Sequence, residues 1–138
     1  MSIQNLMLLT TQLNEEVKKK ILVVEDNQIN AIVLKRILLN YHFEVIIAED
    51  GQKGVEAVKT HIPDLILMDI NMPVMNGIDA TIAIRNLEGE LKNIPIFAVS
   101  ADITSNTQTT ALESGMNEYI TKPVEVELMI NLLLQYLR

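Results

Sequence analysis

The sequence predicts an α/β fold, a doubly wound parallel sheet of five strands with helices on both faces. Three observations predict it. Short unbroken apolar runs bounded by turn residues recur at residues 21–24, 45–47, 65–68 and 96–99, and Glu118 to Thr121 reads as a short fifth strand. Such runs read as strands buried on both faces. The segments between them space their apolar residues as helices do. Strand and helix therefore alternate along the chain, which demands parallel strands joined by right-handed crossovers.

Each element has its own justification. Residues 1–19 stand apart: Ile3, Leu6, Met7, Leu9, Leu13 and Val17 lie roughly at helical spacing, so the segment reads equally as an amphipathic helix and as a tail or linker. The regular pattern, and with it the expected domain, spans residues 20–138. The first strand ends in Glu25-Asp26. Asn27 can cap a helix whose apolar stripe is expected to run Ile29, Val33, Ile37 and Leu38. After the second strand, Asp50-Gly51 turns the chain into a short helix expected to face Val55, Val58 and Ile62 inward. Pro63-Asp64 breaks it. The third strand runs straight into Asp69, and Pro73 follows. Asn76-Gly77 starts another segment, with Ile78, Ile82 and Ile84 before a stop expected at Glu88-Gly89. Pro95 opens the fourth strand, which ends at Ser100-Ala101-Asp102. The run from Thr104 to Thr110 is polar and β-branched, a weak helix stopping near Gly115. The fifth strand ends in Lys122-Pro123. The last helix, residues 125–137, carries more apolar positions than one face uses. It reads as a deeply buried terminal helix, as a dimer or partner face, or as a groove covered by the apolar residues of 1–17.

Composition narrows the class. The 138 residues suit one domain with a sizeable core, and 49% hydrophobic content excludes a disordered chain. No apolar run approaches the ~20 residues that span a bilayer. A net charge of −7 argues against nonspecific nucleic-acid binding. The absence of cysteine excludes disulfides and thiolate metal sites and suits a reducing cytoplasm. The N-terminus lacks the layout of a signal peptide. His42 and His61 flank loops away from the acidic residues and read as ordinary surface histidines.

In a parallel sheet all strand C-terminal ends share one edge, where α/β proteins keep their ligands. Glu25, Asp26, Asp69, Ser100 and Lys122 all fall there. A lone aspartate after a strand is usually a cap or turn residue, but five such placements at one edge are hard to explain that way. Three carboxylates brought together repel one another and require a cation. Hard oxygen ligands without Cys or clustered His select Mg2+ or a similar ion such as Mn2+. Lysine pairs with phosphoryl oxygens, a serine hydroxyl adds a neutral donor, and aspartate can itself form an aspartyl-phosphate. These parts describe phosphoryl transfer onto Asp69.

At these residues the chain resembles a response-regulator receiver domain. The likeness rests on Val23-Val24-Glu25-Asp26-Asn27, on Leu67-Met68-Asp69-Ile70-Asn71-Met72-Pro73 with Asn76-Gly77, on Ser100-Ala101 and on Lys122-Pro123. Each motif alone is weak; all of them in order are specific. The runs at 72–77 and 115–119 most resemble receivers attached to hybrid histidine kinases. The resemblance implies a flavodoxin-like sheet of strand order 2-1-3-4-5, the order for which the chemotaxis receiver is a standard example. It implies that Asp69 is the phosphoacceptor, that Asp26, Glu25, Asp69 and the backbone carbonyl of Asn71 hold the metal, and that Ala101 and Lys122 contact the phosphoryl group. Ser100 becomes the switch hydroxyl and Tyr119 the switch aromatic. The resemblance also implies a cis peptide before Pro123. The implied protein is a cytoplasmic signalling phosphoacceptor and not an enzyme in the usual sense. It takes its phosphoryl group from a histidine kinase or histidine phosphotransfer protein, and it signals to a downstream partner through the face formed by the fourth helix, fifth strand and fifth helix. Whether it stands alone or belongs to a larger kinase is open. The rivals are an aspartyl-phosphate phosphatase, which needs a second acid where Asn71 stands; an FMN carrier, which needs a phosphate loop where Glu25-Asp26 stand; and a receiver used only for docking.

Overall fold

The computed structural model describes residues 2–7 and 18–137. Strands β1 (Lys20–Val24), β2 (Glu44–Ala48), β3 (Leu65–Asp69), β4 (Ile96–Ser100) and β5 (Glu118–Thr121) form one parallel sheet in the order β2-β1-β3-β4-β5. Helices α1 (Gln28–Asn40), α2 (Gly51–His61), α3 (Gly77–Arg85), α4 (Ser105–Ser114) and α5 (Val126–Leu137) make the crossovers and the C-terminal element. A short 3-10 turn, Gly89–Asn93, lies between α3 and β4. The expected fold class and strand order are both present.

Alternation along the strands divides the core in two. Ile21, Val23, Leu65, Leu67, Phe97, Val99 and Ile120 pack with α1 and α5. Leu22, Val24, Ile66, Met68, Ile96 and Ala98 pack with α2, α3 and α4. Both faces of β1, β3 and β4 are thus covered, which is why these strands read as continuous apolar runs. Each large side chain so buried stabilises the fold by about 1.5–3 kcal/mol.

The helix faces differ from expectation in detail. In α1 the buried stripe is Ala31, Leu34 and Leu38, while Ile29 and Val33 point outward. Leu34 and Leu38 of that face pack with Ile21 and Val23 of β1, and Ile37 is partly buried against the same cluster. In α2, Val55 and Val58 are buried as expected, but Ile62 is the left-handed C-cap and is exposed, because the helix has ended before it. In α3, Ala80 and Ile84 face inward and Ile82 outward; the helix stops at Arg85, ahead of Glu88-Gly89.

Beyond that stop, the Arg85 guanidinium gathers four acceptors. Its Nε donates to the Gly115 carbonyl at 2.9 Å, Nη1 to the carbonyls of Lys92 at 2.8 Å and Ile94 at 2.7 Å, and Nη2 to Asn117 Oδ1 at 3.0 Å. One side chain therefore ties the end of α3 to the entry of β4 and to the α4–β5 turn.

Residues 3–7 are helical, and Leu6 is fully buried in the cluster that holds Leu34, Leu38, Leu134 and Leu137. The rest of the expected N-terminal helix, residues 8–17, lies outside the described residues. In α5, Met129, Ile130, Leu133, Leu134 and Leu137 are buried; Leu128 and Tyr136 stay at the surface. Tyr136 meets Phe97 edge-on, with ring centroids 4.9 Å apart, and donates its hydroxyl to Glu118.

Candidate functional site

Strand register builds the site. Val24 of β1 pairs with Met68 of β3, so Glu25 and Asp69, one residue further on each strand, lie side by side. Asp69 pairs with Val99, which puts Ser100 next along β4, and Ser100 pairs with Thr121, which Lys122 follows. The polar residues that end these strands thus step across one edge of the sheet.

Glu25, Asp26 and Asp69 each bring a carboxylate oxygen within 4.8 Å of the others. Glu25 and Asp69 are buried and Asp26 is exposed. Lys122 Nζ stands 2.8 Å from Glu25 Oε1 and 3.7 Å from Asp69 Oδ1. Burial and the adjacent Glu25 carboxyl push the Asp69 carboxyl up to about 7, against the pull of Lys122. Burial opposes the charge of Glu25 too. Its hydrogen bonds with Asp69, with Lys122 and with the Asn27 N–H outweigh that and hold it below the usual carboxylate range. The two acids titrate together as one pair. Burial works against the charge of Lys122, but Glu25 and Asp69 hold it above the usual lysine range. A cluster of this kind, all oxygen and short of positive charge, suits a hard divalent cation.

The loops that follow the strands are fixed locally. The Asn27 side chain caps α1 by accepting from the Asn30 N–H at 3.0 Å, and its own N–H donates to Glu25 Oε2 at 3.2 Å. Gly77 donates to the Ile70 carbonyl at 2.8 Å. A Cβ at Gly77 would stand 2.1 Å from the Asp69 carbonyl oxygen, so glycine alone lets α3 start this close to the acid. Asn71 is exposed in the loop after β3. The Lys122–Pro123 peptide is cis. Beside Glu25 and Lys122 opens a cavity of about 260 Å³, walled by Val33, Leu34, Ile37, Val99, Pro123 and Val124.

Ser100 is buried, and its hydroxyl accepts from the Asp102 N–H at 3.1 Å. Ala101 is exposed. Tyr119 is half-buried and donates its hydroxyl to the Asp102 carbonyl at 2.6 Å. The Asp102 carboxylate accepts from the Thr104 N–H, the Thr104 hydroxyl and the Thr107 hydroxyl, which holds it below the usual carboxylate range. Sequence alone assigns Asp102 no part in the site. An Asp two residues before the Thr that caps a helix is, however, a recognisable turn signal.

The fold and this edge define a class. The family model for the response regulator receiver domain matches residues 21–134, and the chain belongs to that family. It is 44% identical over 117 residues to hybrid signal transduction histidine kinase M of Dictyostelium discoideum, covering 82% of this chain and 5% of that protein. It is 39% identical over 114 residues to the CAI-1 autoinducer sensor kinase/phosphatase CqsS of Vibrio cholerae, covering 83% of this chain and 17% of that one. The chain thus spans a small part of the curated relatives it matches. Among solved structures it resembles the receiver domain of a Pseudomonas aeruginosa sensor histidine kinase, determined with a magnesium ion in its active-site cleft. The TM-score is 0.81 and the identity 31%, with 88% of this chain and 98% of that one covered. The chemotaxis protein CheY4 of Vibrio cholerae shares the fold at TM-score 0.80 and 23% identity, over 87% of this chain and 99% of that one. Receiver domains of two-component systems are signalling phosphoacceptors, which sets aside the phosphatase and FMN-carrier readings. No described helix is long and apolar enough to cross a membrane.

Proposed function

We propose that Asp69 accepts a phosphoryl group from a phosphohistidine donor, with Mg2+ bound beside it, and that this shifts the face formed by α4, β5 and α5. The observation that carries the reading is the meeting of Glu25, Asp26 and Asp69 within 4.8 Å, with Lys122 reaching two of them.

In this reading a carboxylate oxygen of Asp69 attacks phosphorus. The phosphorus–nitrogen bond breaks and its electron pair stays on the imidazole. Attack needs Asp69 ionised, and a proton held up to about 7 opposes that. Glu25, Asp26, Asp69 and the backbone carbonyl of Asn71 would hold the cation, which supplies positive charge to the acids and to the incoming phosphoryl oxygens. Lys122 supplies a second positive charge and Ala101 leaves room for the group. The Ser100 hydroxyl accepts from the Asp102 N–H and keeps its own proton to donate to the phosphoryl group. Tyr119 holds the Asp102 carbonyl from the far side. One loop residue thus joins the site to α4 and β5, and phosphorylation would act by favouring one arrangement of it.

Incubation with Mg2+ and acetyl phosphate or a phosphohistidine donor, followed by intact mass, tests the reading. One added phosphoryl group that is lost in Asp69→Asn is expected. No adduct with either donor would leave docking alone as the role.

A further inference from the structure

β2 ends the sheet, so one of its sides carries no described strand. On the other side Glu44 donates its N–H to the Lys19 carbonyl at 2.9 Å, and the Ala48 carbonyl accepts from the Glu25 N–H at 3.0 Å. Residues 44, 46 and 48 therefore face β1. By the alternation of a parallel ladder, Val45 and Ile47 turn their N–H and C=O groups outward. Edge strands are usually protected by lysine, proline, a bulge or a covering element. β2 reads Glu-Val-Ile-Ile-Ala, with its one charge at the start. Its pairing with β1 is unbroken from Lys20–Glu44 to Val24–Ala48.

Apolar surface flanks this edge on both faces. Val33, Leu34 and Ile37 of α1 line the cavity beside Pro123 and Val124, so that flank of the helix points across the sheet towards α5. Ile32 and Leu39, seven residues apart, share the opposite flank, on the β2 side. They are 49% and 46% exposed. Val45 packs on the α1 face of the sheet, and Ile47, which alternation places on that face too, is 38% exposed. On the other face Ile46 and Ala57 wall a groove of about 400 Å³ between β2 and α2.

We propose that β2 is the pairing edge of a symmetric dimer. The β2 strands of two copies of this chain run antiparallel about Ile46 and join their five-stranded sheets into one. The occupant follows from self-complementarity. About that axis Val45 of each copy faces Ile47 of the other, so the outward main-chain groups meet as hydrogen-bonded pairs. Glu44 falls opposite Ala48 and Glu49 opposite Phe43, so no two acids meet. An axis at Ile47 would instead set Glu44 against Asp50. Because α1 packs over β1 and β2, the two copies of the helix come to about 10 Å apart, a packing distance, with their Ile32 and Leu39 stripes facing. Lys35 lies in the same stripe near the axis, so the two ammonium groups oppose association and salt should strengthen it. β5 lies at the far edge of the sheet, and the face of α4, β5 and α5 stays uncovered.

Sedimentation equilibrium of the full chain tests the proposal. The weight-average mass should rise from one chain towards two between about 10 µM and 1 mM, the range of a small, weak interface. The rise should be steeper at high salt. Ile47→Lys puts a charge on the edge, and Ile47→Pro removes an outward N–H without touching the ladder to β1. Both should hold the chain at the mass of one copy, with wild-type circular dichroism. Leu128→Lys, at the exposed surface of α5, should leave association unchanged. Cysteine, which the chain lacks, reports the register. Ile46→Cys faces its own copy across the axis in a non-hydrogen-bonded pair, close enough to cross-link on mild oxidation with diamide. Ile47→Cys is offset from its copy and should not cross-link. A wild-type chain of single-copy mass across that range would overturn the proposal. So would dimers that persist in both Ile47→Lys and Ile47→Pro, dimers lost in Leu128→Lys, or cross-linking through Ile47→Cys but not Ile46→Cys.

Discussion

The Asp69 carboxyl holds its proton more tightly in the folded chain than in an unfolded one, at about 7 against a reference value of 3.8. Within that window the folded state binds more protons, so stability falls as pH rises. Glu25 works in the opposite sense, but only at the acid side of its reference value of 4.5. Between pH 5 and 8 the Asp69 slope therefore stands alone among these acids. In chelator, the thermal midpoint should drop across that range. Asp69→Asn should flatten the drop, and millimolar Mg2+ should offset it by favouring the ionised acid. A midpoint that climbs with pH would contradict the arrangement. Gly77 gives a second prediction at this scale. Gly77→Ala forces a Cβ against the Asp69 carbonyl, and should cost about 1–3 kcal/mol in urea unfolding, the usual cost of overpacking.

Among the elements, α4 is the least well supported by its own residues. Ser, Thr and Asn fill most of its first half, and Ala111 is its one buried residue. Its start depends on the Thr104 cap and on the Asp102 carboxylate that holds Thr104 and Thr107. Amide exchange should therefore be faster across 105–110 than across α2 or α5. Asp102→Ala should speed it further at 105–108 while leaving Gly115 protected. Strong protection of the whole helix would count against this dependence. The weakness of α4 is legible in the sequence because propensity is local. So are the strands, since burial on both faces leaves an unbroken apolar run. Residue size is a poor guide to the inward faces of α1 and α2. In α1 the small Ala31 is buried while Ile29 is exposed, and the end of α2 put Ile62 outside. Glu25, Asp69, Ser100 and Lys122 can be brought together from sequence because parallel topology carries every strand end to one edge. The positive φ of Val74 in the loop after β3 is not legible, since the Gly51 N–H that bonds the neighbouring Met75 carbonyl comes from the distant start of α2.

For the molecule as a whole, the packing unit is larger than the family match at 21–134. Leu6 belongs to the same cluster as Leu38, Phe43 and Leu134. Leu6→Ala should destabilise the chain by about 2–5 kcal/mol, the range for emptying a buried leucine site, and removal of residues 1–7 should do so by at least as much. Equal urea midpoints for the truncated and full chains would show that the segment packs too loosely to matter. The Arg85 contacts bear on motion at the same scale. Gly115, the C-terminal cap of α4, is fastened through Arg85 to α3 and to the strand entry of β4. The other end of α4 hangs on the loop where Ser100 and Tyr119 meet. Both ends of α4 are thus tied by hydrogen bonds to neighbouring elements, the tail through Arg85 and the head through Asp102. The tail's fastening is a guanidinium bound to three carbonyls and an amide oxygen, so it carries no carboxylate for acid to neutralise.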